Sequence, residues 1–234
     1  MPEKKNEISA ILNLLPKIKK SGYKNPILSI DAIAAQPNLI EKICDSDCDY
    51  CIGFKENQKN AYIDSYNLLM QNFKNHFFQE YKEEHGKQEV TLYYNFTNLE
   101  SVRNHEKFKG LKSIGAVVSY GYRNGEEFAE VRFYFVSFND PNKFKRIVKE
   151  HWFIENNLHR SLDVYYMEDQ SRIKKGNAPI NFNILRKLGL VFLMLAKTYS
   201  RKSNITFPLL IDMFKIEPQI IDELLQGQCV KILC

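Results

Sequence analysis

The feature that most constrains this chain is a change of hydrophobic period along it. Residues 89–138 alternate with a period of two, while the stretches on either side follow helical spacing. Before that block, Ile27-Leu28-Ser29-Ile30 reads as a short apolar strand. Residues 37–43 read as a helix with Pro37 in its first turn, and residues 50–54 as a second strand. Strand, helix, strand is the unit that builds parallel sheets. Residues 7–20 predict an amphipathic helix with Ile8, Ile11, Leu12, Leu14 and Leu15 on its apolar side, broken or kinked at Pro16. Residues 60–84 predict one long helix, with Tyr62, Tyr66, Leu69, Phe73 and Phe77 near one face. Inside the period-two block, residues 90–94 read as one strand. Residues 114–122 and 128–138 read as a hairpin turning at Asn124-Gly125. Asp140 predicts the N-cap of a helix over 141–162, and further helices are expected over 183–199 and 217–225. The fold class is α/β, in three parts: 1–84, a β-rich 85–139, and a helical 140–234.

Two acids stand where this pattern carries chemistry. Asp31 closes the apolar run 27–30, and Glu155 lies in the helix-like run 151–159. An acid at the end of a buried strand and an acid on a later helix suit two carboxylates of a metal-dependent site, a pattern that DNA-cutting enzymes use with a third acid. Residues 1–26 contain no Asp to supply the third. Carboxylate oxygens suit the hard cations Mg²⁺ and Mn²⁺, which can activate water or a 3′ hydroxyl and stabilise a leaving oxygen. On an α-helix Glu155 shares a face with His151 and His159, which also allows a zinc site or merely a polar, hydrogen-bonded face. The zinc arrangement is disfavoured because residues eight apart lie about 12 Å apart along a helix.

Charge and cysteines narrow the partners. The formal net charge is +5, and its distribution is uneven: residues 170–211 hold no Asp or Glu. Arg172, Lys174, Lys175, Arg186, Lys187, Lys197, Arg201 and Lys202 all fall there. One-signed stretches favour a polyanion such as nucleic acid, the plainer alternative being a solvated face beside Glu168 and Asp169. Cys44, Cys48 and Cys51 form C-x3-C-x2-C without an evident fourth ligand, so reduced, partly buried thiols are expected rather than zinc. The start of the chain has no uninterrupted apolar core, and the longest apolar run, residues 188–196, is shorter than the roughly 20 residues of a membrane span. A cytoplasmic protein without a membrane segment is expected.

The run HWFIENNLHRSLDVYYMEDQSRIKKGNAPINFNILRKL, from His151 onward, resembles the C-terminal half of bacterial insertion-sequence transposases of the H-repeat-associated branch. NEISAI, SIDAIAAQ around Asp31, DYCIGFKENQ at 49–58, HGKQE at 85–89, GLKSIGAV at 110–117 and VRFYFVSF at 131–138 match in the same order. The resemblance implies a DDE transposase with an RNase H-like core, interrupted by a β-rich insertion and finished by helices. It implies that Asp31 and Glu155 bind Mg²⁺ or Mn²⁺ as the second Asp and the Glu of the triad. It further implies that Arg172, Lys174, Lys175, Arg186 and Lys187 contact the phosphates of double-stranded DNA, at element ends and target. The family's first Asp, in an Asp-Gly-Lys element, has no counterpart here, and Glu56, Phe108 and Arg160 depart from its usual residues. The expectation is an incomplete core: a truncated copy, inactive alone, that works with a full-length transposase or a separate N-terminal fragment. The alternative is a non-catalytic DNA-binding regulator.

Overall fold

The computed structural model describes residues 3–84, 86–199 and 205–226. The chain divides into two compact units, Met1–His151 and Trp152–Cys234.

The first unit is built on one six-stranded mixed sheet. Its strands are β1 (Ile27–Ile30), β2 (Asp49–Phe54), β3 (Phe78–Glu84), β4 (Lys87–Phe96), β5 (Ser113–Arg123) and β6 (Glu126–Val136), in the order β1-β2-β6-β5-β4-β3. β1 runs parallel to β2, joined by helix α2 (Pro37–Asp45), as the strand-helix-strand reading predicts. All other neighbours are antiparallel. β6 pairs with β2 from Cys51↔Val136 to Phe54↔Phe133, so the β-rich stretch continues the sheet that β1 and β2 begin. The β5–β6 turn falls at Asn124-Gly125, both at positive φ, as the hairpin signal requires.

Alternation gives the sheet two faces. Tyr50, Ile52, Phe54, Leu92, Tyr94, Ile114, Ala116, Phe133 and Phe135 form the main core with α1 (Glu3–Lys20), α2 and α3 (Lys59–Gln71). Phe54 stacks on Phe135 at 4.0 Å between ring centroids, and Phe108 meets Phe135 at 4.1 Å. Each such buried ring contributes about 1.5–3 kcal/mol through area removed from water. The opposite face carries α4 (Pro141–Ile154), whose buried side is Phe144, Ile147 and Val148. Asp140 caps α4, its Oδ1 accepting from the Lys143 N–H at 3.0 Å. Phe144 lies edge-on to Tyr134 and rests on Gly115, where an added Cβ would sit 2.3 Å from the ring. Glu80 of β3 accepts from Lys145 and Lys149 of α4 at 2.8 and 3.0 Å.

Three expectations are corrected. α1 runs on through Pro16, forgoing one backbone hydrogen bond instead of ending there. The helix expected over 60–84 stops at Gln71, where the Asn72 side chain and backbone both donate to the Leu68 carbonyl. Beyond it the chain joins the sheet as β3, and Tyr66, Phe73 and Phe77, placed near one face by the spacing, are exposed. The helix expected over 141–162 changes pitch at Glu155–His159, a π-helical turn, before α5 (Arg160–Tyr166).

The second unit packs α5, α6 (Ala178–Tyr199), α7 (Phe207–Ile216) and α8 (Gln219–Leu225) around Leu162, Leu190, Leu193, Ala196, Ile205, Leu210 and Ile220. α6 starts earlier than the spacing predicts because Pro179 suits a first turn. By length and composition, Ala178–Thr198 is long and apolar enough to cross a membrane, although the sequence showed only a nine-residue apolar run. Leu190, Leu193 and Ala196 of α6 are buried against the other helices of this unit, while only 11% of the span is buried.

Candidate active site

Asp31 stands at the end of β1, where the backbone leaves the sheet for a 3₁₀ turn over Ala32–Ala34. Leu28 and Ile30 pack toward the main core. Ser29 and Asp31, of the opposite parity, point toward the face that α4 covers. The turn after Asp31 is held from behind. Asn57 donates to the Ala32 carbonyl at 2.8 Å and Gln58 to the Ala35 carbonyl at 2.7 Å, while Ala34 and Ala35 are fully buried. Asn57 and Gln58 belong to the DYCIGFKENQ run, and nothing in their spacing announced this bracing of the backbone beside Asp31.

The Asp31 side chain is 83% exposed, and the Nε2 of His151 stands 3.4 Å from its Oδ1. The Nδ1 of His151 lies 3.0 Å from the Ser29 hydroxyl. The hydrogen bond from His151 holds the Asp31 carboxyl below its ordinary 3.8; desolvation opposes this, and the charges of His151, Lys55 and Arg132 add to it. Asp31 is therefore an ionised oxygen donor at neutral pH, the chemistry a hard divalent cation selects. It fits as one ligand of such an ion, and among the described residues no three His, Cys, Asp or Glu side chains cluster as a complete metal site.

Glu155 lies in the second unit, exposed, as the first residue of the π-helical turn. The Arg160 N–H bonds back to the Glu155 carbonyl, five residues away. The turn that carries Glu155 and His159 is therefore π-helical, where α-helical spacing was expected. Among the described residues, His151, Glu155 and His159 do not gather as a metal-holding group. Single wide π turns inside α-helices occur frequently at functional sites.

The basic residues are spread over the second unit. Arg172, Lys174 and Lys175 are exposed on the segment before α6, Lys187 is exposed on α6, and Arg186 is half-buried there. Lys197 is exposed near the end of α6, whereas Arg201 and Lys202 lie outside the described residues. Cys44, Cys48 and Cys51 are free thiols; Cys44 donates to the Lys109 carbonyl, and burial pushes all three thiols above their ordinary range.

A family model described as the transposase DDE domain matches residues 1–192. "Putative transposase YncI" of Escherichia coli O157:H7 is 31% identical over 196 residues, covering 80% of this chain and 50% of that protein. "H repeat-associated putative transposase YhhI" of Escherichia coli K12 is 30% identical over 207 residues, covering 84% of this chain and 54% of that protein. The chain spans about half the length of the curated relatives it matches. With that match running over residues 1–192, the chain belongs to the transposase DDE domain family.

Proposed function

We propose that this chain carries the second and third carboxylates of a DNA-cutting and DNA-joining centre, Asp31 and Glu155. The observation that carries the reading is Asp31 itself: an ionised, exposed carboxylate at the end of β1, braced by Asn57 and Gln58 and approached by His151. In this reading β1, β2 and α2 belong to an RNase H-like core within residues 1–84. Residues 85–139 are an insertion in sequence that extends its sheet, and residues 140–234 bring Glu155 and the DNA-facing cations. Mg²⁺ or Mn²⁺, when bound, would supply the Lewis acidity that activates water or a 3′ hydroxyl and stabilises the leaving oxygen. Asp31 and Glu155 would each offer carboxylate oxygens to such an ion. Arg172, Lys174, Lys175, Arg186 and Lys187 neutralise phosphates and keep double-stranded DNA in register.

The test is a chimera in which residues 1–192 replace the matching part of YncI, assayed for excision of a marked element. Transposition is expected from the chimera, with Asp31→Asn and Glu155→Gln each reducing it to background. An active chimera that tolerates either substitution would remove that acid from the centre.

A further inference from the structure

β1 and the last turn of α4 bring a serine, a histidine and a carboxylate into one line within the first unit. Ser29 and Asp31 leave the strand on the same side, two residues apart, so a single ring can touch both. His151 does so, with Nδ1 3.0 Å from the Ser29 Oγ and Nε2 3.4 Å from the Asp31 Oδ1. An ionised carboxylate only accepts, so the ring nitrogen that faces it carries the hydrogen. In the neutral ring Nδ1 is then the acceptor, and the Ser29 hydroxyl donates to it. The His151 side chain is 23% exposed and the Asp31 side chain 83%. A partly buried ring fixed to a strand hydroxyl therefore meets an acid that would otherwise rotate in solvent.

We propose that His151 is a positioning residue for Asp31: Ser29 sets the ring tautomer, Nε2–H holds Oδ1, and Oδ2 is left for a divalent cation. The proposal rests on the reading of Asp31 as a metal ligand given above. Ligand carboxylates are themselves hydrogen-bonded in metal sites, and losing such an outer partner typically costs 10–100-fold in metal affinity. His151 also explains why α4 must sit in one rotational setting over β1. Phe144 on Gly115 and the contacts of Lys145 and Lys149 with Glu80 fix that setting along the preceding turns of the helix.

The test is nuclear magnetic resonance of the full chain labelled with ¹⁵N-histidine, at about pH 8 where an ordinary imidazole is neutral. Long-range ¹H–¹⁵N correlations should show His151 as the Nε2–H tautomer, and the Nδ1–H tautomer would overturn the proposal. Added Mn²⁺ should broaden the His151 ring signals, and Asp31→Asn should abolish that broadening. An Nε2–H ring with no broadening by Mn²⁺ sinks the metal-ligand reading, and the proposal with it. Broadening of an Nδ1–H ring sinks the positioning role alone and leaves the ligand reading standing. Mn²⁺ affinity, followed by the free-ion electron paramagnetic resonance signal, should fall at least about tenfold in His151→Ala. His151→Gln, which keeps a donor near the Nε2 position, should recover most of it. Equal affinity in the wild type and His151→Ala, with both folded, would also overturn the role.

Discussion

Glu80 ties an edge strand to the helix that covers the sheet, and its ionisation makes that tie sensitive to pH. Desolvation pushes its carboxyl up, but hydrogen bonds from Lys145 and Lys149 outweigh this and leave it below the ordinary 4.5. A depressed carboxyl contributes stability that is fully present above its unfolded value and is lost as pH falls through the folded one. Denaturant midpoints should therefore be flat above about pH 4.5 and fall below it, with a shallower fall in Glu80→Gln. The same substitution should cost about 0.5–1 kcal/mol at neutral pH, as solvent still screens Lys149. At this scale the sequence was informative where chemistry is local. Asp31 could be singled out because it ends an apolar run, and Asp140 because it precedes Pro141. Ser29 could not, since its contact with His151 spans 122 positions and leaves no trace in spacing or period.

Elements were legible where one local signal has one structural meaning. Asn124-Gly125 specifies a two-residue hairpin turn, and β5 and β6 follow on either side. Residues 72–84 were misread because aromatic residues at helical spacing also suit a half-exposed edge strand. The carbonyl of Tyr93 decides the matter by capturing the Phe77 N–H at 2.9 Å. The pitch change at Glu155 was equally invisible, since an i→i+5 turn has no composition of its own. Gly115 shows how closely two elements can depend on one missing atom. Gly115→Ala should force Phe144 off the sheet and destabilise the protein by about 1–3 kcal/mol in chemical unfolding, the usual penalty for overpacking. Because α4 also carries His151, the same variant should perturb the His151 ring resonances. Unchanged stability would mean that Phe144 has another place to go.

For the whole molecule, charge is the property most directly read from the sequence, and it sets the expected behaviour toward DNA. If Arg172, Lys174 and Lys175 each neutralise a phosphate, the triple alanine variant should bind all duplexes more weakly. The slope of log affinity against log salt should fall by about one per lost contact. A slope unchanged from wild type would place those three side chains away from the backbone of DNA. Strand order was the least legible property, because β2 finds its second neighbour only in β6. That arrangement has a consequence during synthesis. β1 and β2 leave the ribosome well before β6, the strand that completes β2, which follows roughly 80 residues later, some 5–15 s at ordinary elongation rates. For that interval Cys51, Ile52 and Phe54 have no sheet partner on one side, so chaperone occupancy of nascent chains should peak before β6 emerges and collapse after it.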